Sequence, residues 1–322
     1  MPNILNEQMR KIVAIILYVS LATVVSAQES QTEYNFLRLP VSAHAAALGG
    51  DNISLIEDDE TFIFNNPALL SSVNDKTLNF NYMNYMQGAN ILSASFNRVV
   101  QEKASWAVSG QYINYGTMKE TDENNVETGE FTAKDISLAG YFSYMLSDRI
   151  AGGITAKFIT SYIGNYNSIG VGIDLGLNYY NPNKDFSISA VAKNLGGQLK
   201  AYNEEYEKMP IDIQIGLTKR FQNTPFRLSA TLVDLNHWNY KFLYHALVGV
   251  DLLLSDNIWI GGGYNFRRAN EMKIENSDGE SSHGAGLSFG TGLNLDHFKL
   301  NLSYGKYHVS SSSVLINVAY TL

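Results

Sequence analysis

From Ile169 to Tyr179 the chain sets an apolar side chain at every odd position: Ile169, Val171, Ile173, Leu175, Leu177 and Tyr179. Gly170, Gly172, Asp174, Gly176 and Asn178 occupy the places between. A period of two makes a β-strand with one apolar face and one polar or empty face. Such a strand must lay its apolar face against something, either the core of a soluble sandwich or lipid. The same alternation returns at Ile211, Ile213, Ile215 and Leu217, and again at Phe298, Leu300, Leu302 and Tyr304.

The N-terminus bears on the compartment. Arg10 and Lys11 precede an apolar run from Ile12 to Val25, and Val25-Ser26-Ala27 ends on a small residue. A charged start, a short apolar run and a small-residue site predict a secretory signal peptide over residues 1–27, cleaved after Ala27. The run is short for a helix that must cross ~30 Å of hydrocarbon. No later segment approaches ~20 consecutive apolar residues, so helical spans are not expected. Cysteine is absent, which excludes a lipid-anchoring cysteine and a disulfide framework. Cleavage removes Glu7, Arg10 and Lys11 and leaves the remainder one charge more negative than the −8 of the full chain. That balance argues against nucleic acid, whose phosphates call for clustered Lys and Arg.

Residues 28–75 lack sustained alternation. Beyond them, strands are predicted at 76–86, 88–98, 104–115, 131–146, 149–162, 166–180 and 185–194. The series continues at 211–221, 225–234, 242–254, 257–267, 283–295, 297–306 and 312–322. Most are near the ~9–11 residues with which a tilted strand crosses a bilayer. Their connections alternate in length. Short ones lie at 146–148, 181–184, 222–224, 255–256 and Asp296; longer charged ones lie at 116–130, 195–210, 235–241 and 268–282. Short turns on one side and long loops on the other are the habit of bacterial outer-membrane barrels. Closure leaves no unpaired edge, and a lumen accepts Gly, Ser, Asn and Asp. The chain also ends inside an alternating strand, with Val314, Ile316, Val318, Tyr320 and Leu322 on one face. The expected fold is an all-β transmembrane antiparallel barrel of about fourteen strands over residues 76–322.

Residues for chemistry are sparse. Of six histidines, His44, His237, His283, His297 and His308 fall outside predicted strand interiors; only His245 is expected mid-strand, on the polar face with Gly249 and Asp251. No nucleophile elbow, zinc-binding helix or phosphate loop occurs, so an enzyme is not expected, nor a catalytic, metal or cofactor site. Glu57-Asp58-Asp59-Glu60 lacks the spacing of a calcium loop and reads as a solvated turn. Lys157, Asp174, Lys193, Asp212 and Asp251 are assigned to the lumen by parity. Arg267 and Arg268, at a predicted strand end, are read as snorkelling side chains or as contacts for anionic lipopolysaccharide.

The segment Phe36-Leu-Arg-Leu-Pro-Val-Ser-Ala-His-Ala-Ala-Ala-Leu-Gly-Gly-Asp-Asn-Ile-Ser-Leu55, followed by Asn65-Asn-Pro-Ala-Leu-Leu-Ser71, is the most specific feature. Its alanines suit tight packing, Gly49 and Gly50 a sharp bend, and Asn66-Pro67-Ala68 a fixed turn. It resembles the N-terminal hatch of the long-chain fatty-acid transporter barrels, which implies fourteen strands and a plug over residues 28–75. Within that superfamily it is similar to the PorQ-like barrels of the type IX secretion system of Bacteroidetes. That likeness implies anchorage of a PorZ-like surface protein in an attachment complex with PorU and PorV. The complex joins cargo to anionic lipopolysaccharide, and its peptidase chemistry belongs to another subunit. The superfamily likeness implies, as the alternative, a channel for long-chain fatty acids or other apolar solutes.

Overall fold

The structure, a computed structural model, describes residues 32–322 apart from 87, 239–240, 277–278, 282–283 and 309–310. The expected signal peptide and its cleavage site lie outside the described residues. The chain from Thr77 forms a closed antiparallel barrel of fourteen strands. In order these are β1 (Thr77–Asn84), β2 (Asn90–Val100), β3 (Ala104–Thr121), β4 (Glu127–Ser147), β5 (Ile150–Ile163), β6 (Tyr166–Asn181) and β7 (Phe186–Lys200). They continue with β8 (Asp212–Arg220), β9 (Phe226–Leu232), β10 (Ala246–Leu253) and β11 (Ile258–Asn265). A two-stranded hairpin, β12 (Ile274–Asn276) and β13 (Gly279–Ser281), stands apart from the wall. The barrel resumes with β14 (Leu287–Asn294), β15 (Phe298–His308) and β16 (Ser311–Thr321). β16 pairs with β1 from Thr77↔Thr321 to Asn84↔Val314, so neither end strand is left as an edge. Among the described residues no helix is long and apolar enough to cross a membrane.

Each strand predicted from alternation corresponds to one barrel strand, and the differences lie at the ends. β3 and β4 run through most of the segment expected as loop 116–130, paired from Thr117↔Thr132 to Thr121↔Glu127. Asp122 closes this hairpin by accepting from the N–H groups of Asn124 and Val126, at 2.8 and 2.9 Å. Outside lipid a ladder needs no apolar face, so its residues carry no alternation to read. β7 likewise continues to Lys200 beyond a bulge in which Lys193 and Asn194 face Asp174. Residues 242–245, expected as strand, form a 3-10 turn instead. β11 stops at Asn265 because its side chain accepts from the Arg268 N–H and starts the short helix Phe266–Glu271.

The two faces separate as the period requires. On β6, Ile173 and Leu175 are 44% and 47% exposed, while Asp174 between them is 2% exposed. Among the described residues nothing covers the outward apolar face, which leaves acyl chains as its partner. Parity also places the inward charges: Lys157 meets Asp174 at 2.7 Å, and Lys193 lies 3.6 Å from Asp51.

Charge at mid-membrane on the lipid face costs roughly 2–4 kcal/mol. Ile173→Arg is therefore expected to reduce the inserted, heat-modifiable barrel in outer membranes. Gly172→Ser, facing the lumen beside the flexible end of Met209, should leave insertion near wild type. Equal losses in an insertion assay would refute the facing.

Candidate functional site

Two features of the barrel bear on function: the segment that fills its lumen and the rim formed by its longer connections. Residues 32–75 thread the lumen as short turns of helix joined by irregular chain. Irregular backbone needs hydrogen-bond partners when buried, and the polar faces of the strands supply them. Asn317 accepts from the Ala43 N–H and donates to the Val41 carbonyl at 3.0 Å. Ser288 donates to the Ala47 carbonyl at 3.1 Å, and Ser54 shares a 2.8 Å hydrogen bond with Thr218. The helix Ala43–Ala47, capped by Ser42, is fully buried.

Lumenal glycines let the plug lie against the wall backbone to backbone. A Cβ on Gly263 would sit 2.2 Å from the Leu48 carbonyl carbon, and one on Gly153 would sit 2.4 Å from the Ala68 nitrogen. On Gly176 it would lie 2.1 Å from Asn66 Oδ1. The empty face of the β6 alternation is thus the seat of Asn66-Pro67-Ala68. Asn66 caps the 3-10 helix Pro67–Ser72 by accepting from the Ala68 N–H at 2.9 Å, and donates to the Ile53 carbonyl at 2.9 Å. Gly49 and Gly50, at φ of 115° and 122°, reverse the chain after the alanine helix.

A buried charge cluster ties this plug to β9 and β10. Arg227 and Asp251 face each other across the ladder and pair at 2.8 Å. Into them the plug inserts His44, 3.0 Å from Asp251, and Glu57, 2.5 Å from Arg227. His44 also lies 3.0 Å from Glu57 and stacks on Trp259 with ring centroids 3.5 Å apart. Burial alone would lower the His44 pKa, but Glu57 and Asp251 outweigh it and push it up to about 9. Burial would raise Glu57, yet Arg227 and His44 hold it well below the usual carboxylate range. Removing one member of a buried pair costs about 3–5 kcal/mol, because its partner stays charged and unanswered.

Glu57-Asp58-Asp59-Glu60 is therefore not a solvated turn. Asp58 pairs with Lys299, Asp59 caps the 3-10 helix Glu60–Phe64, and Glu60 is fully buried. Burial, with Asp59 alongside, pushes Glu60 up to about 8 despite Ser95 and Lys299. A run of four carboxylates looks hydrated in one dimension, and only the lumen supplies the partners.

Other sequence expectations also change. His245 precedes β10 rather than lying within a strand, and its Nδ1 is 2.8 Å from the Val233 carbonyl oxygen. Asp212 accepts from Gln214 at 2.8 Å and from the Asp234 N–H at 2.6 Å. Arg267 pairs with Asp234 and Glu271, both at 2.6 Å, whereas Arg268 is buried and donates to the Ala285 carbonyl at 2.6 Å. Neither snorkels toward lipid headgroups, because the helix Phe266–Glu271 turns inward over the lumen. The connection after β7 also folds inward: Met209 is buried beside Tyr34 and Phe36, and Glu33 N–H donates to the Lys208 carbonyl at 3.0 Å. In the connection after β9, Trp238 and Phe242 are 65% and 63% exposed.

A closed fourteen-stranded wall, apolar outside and plugged by its own N-terminal segment, defines an outer-membrane barrel of the FadL-like fold. Solved structures share that fold. The toluene transporter TodX of Pseudomonas putida is 14% identical, with a TM-score of 0.57 over 87% of this chain and 97% of that one. The monoaromatic hydrocarbon channel CymD is 13% identical, with a TM-score of 0.57 over 87% and 96% of the two chains. A FadL homologue of Pseudomonas aeruginosa is 10% identical, with a TM-score of 0.52 over 87% and 98%. No protein-family model and no curated protein matches the sequence.

The charge cluster makes the plug's seating pH-dependent. His44, raised from 6.5 to about 9, contributes fully below pH 6.5, and its contribution is lost as pH rises through 9. Glu60, raised from 4.5 to about 8, favours the folded state while neutral, so stability falls with pH between those values. The melting temperature of the purified barrel should fall from pH 5 to pH 9.5. His44→Gln should remove the upper part of that fall and Glu60→Gln the lower, as read by heat-modifiable gel mobility. A flat wild-type profile would refute both assignments.

Proposed function

We propose that this outer-membrane barrel works by anchorage: its loop rim holds a surface protein of the PorZ type, within a type IX attachment complex that also includes PorU and PorV. The observation that carries this reading is the filled lumen. Among the described residues the plug borders a cavity of about 200 Å³ at the loop rim and one of about 30 Å³ deeper. The first mixes apolar residues with Arg, Lys, Asp and Glu, a poor lining for an apolar solute. Close contact at Gly176, and backbone-to-backbone contact at Gly153 and Gly263, resist displacement of the plug. The resemblance of residues 36–71 to PorQ-like hatches supports the partner class. Trp238, Phe242 and Leu243 supply exposed apolar area at the rim, and aromatic anchors of that kind dominate protein interfaces. Lipopolysaccharide is then the surrounding lipid and the destination of cargo.

A second reading, a channel for long-chain fatty acids or other apolar solutes, draws on the fold shared with TodX and CymD, a toluene transporter and a monoaromatic hydrocarbon channel.

Replacing Trp238, Phe242 and Leu243 together by Ser separates the two. Affinity purification from outer membranes should recover the variant barrel at wild-type level without the surface protein that accompanies the wild type. That protein should appear in the medium, with type IX cargo unattached. Retention of every surface partner together with loss of apolar-solute uptake would overturn anchorage in favour of the channel. Residues 195–210 are unsuited to this test, because Met209 and Lys208 help seat the plug.

A further inference from the structure

The cavity of about 200 Å³ at the loop rim is lined by the plug and by the ends of several strands. Two of its acids face cations, Asp51 with Lys193 and Glu271 with Arg267, and Asp212 accepts from Gln214 and from a backbone N–H. Two of its guanidinium groups pair with no carboxylate among the described residues. Arg38 makes no hydrogen bond or ion pair among the described residues, and its Nε is buried without a partner. Arg268 is 7% exposed, and among the described residues it meets no carboxylate: its donors reach the carbonyls of Ala285, Gly286 and Leu287. Its guanidinium carbon lies 4.4 Å above the Tyr307 ring, and the Tyr307 hydroxyl is buried beside it on the same cavity.

Buried charges are ordinarily paired, and a carbonyl neutralises no charge. Guanidinium groups recognise carboxylate and phosphate through paired, charge-assisted hydrogen bonds. We propose that this vestibule is a binding site for a small oxyanion, a phosphate or carboxylate group held between Arg38 and Arg268 with the Tyr307 hydroxyl as a further donor. The volume suits one such group and its short stem. The inference does not depend on anchorage, since it concerns an occupant of the cavity and not the outer surface of the rim.

The test uses the purified full-length barrel in neutral detergent, with its melting temperature followed during titration of inorganic phosphate or glutarate at constant ionic strength. A saturable rise is expected with at least one of the two ions. Arg38→Gln removes no hydrogen bond or ion pair among the described residues and keeps most of the stem, so it should change the ion-free melting temperature little while weakening the apparent affinity at least tenfold. A parallel arm in nanodiscs with and without phosphatidic acid identifies the source. Stabilisation by the lipid alone, again lost in Arg38→Gln, assigns the oxyanion to a headgroup, and stabilisation only by added ion assigns it to a soluble species. No saturable shift in any arm, or equal shifts in wild type and Arg38→Gln, overturns the site.

Discussion

Hydrocarbon offers no hydrogen bonds, so every backbone N–H and C=O that crosses it must be paired within the protein. The pairing of β1 with β16 satisfies that demand by abolishing the last two edges. Closure then divides the side chains by parity into an outer set that must be apolar and an inner set freed from that requirement. The plug, the buried charges and the rim cavity all depend on that inner set being polar or absent.

The lumen presents the reverse problem. A segment of irregular chain, with few internal backbone bonds, is buried there, and the wall must meet its polar groups. Asn317 and Ser288 do so for the alanine helix, while glycines at 153, 176 and 263 remove the side chains that would hold the plug away. Contact at such short range leaves little room for water or solute. The His44–Glu57–Arg227–Asp251 cluster adds an electrostatic tie whose strength depends on pH. Acid conditions favour His44 charged and Glu60 neutral, so the plug is tightest where both hold.

Much of the wall was legible because lipid imposes a strict period. The alternation at Ile169–Tyr179 marked β6 and its outward face, and parity identified Lys157, Asp174 and Asp251 as inward charges. Where lipid stops, the period stops carrying information. The outer parts of β3 and β4 therefore read as a loop, and Phe242–His245 read as strand although it is a 3-10 turn. Glu57 to Glu60 read as hydrated because four neighbouring carboxylates repel in isolation; Arg227 and Lys299 lie far away in sequence. His44 gave no signal at all, since an isolated histidine among alanines has no pattern.

The amino-acid sequence by itself determined the class of solvent each strand faces, the approximate number of strands, and the parity of their side chains. It did so because these follow from a two-residue period acting over short stretches of chain. Tertiary structure alone decided what the polar face is for. The seating of Asn66 on Gly176, the stacking of His44 on Trp259 and the gathering of Arg38 with Arg268 each join residues from separate parts of the chain. Such contacts depend on barrel closure and strand register, which bring those residues together only once the wall is complete.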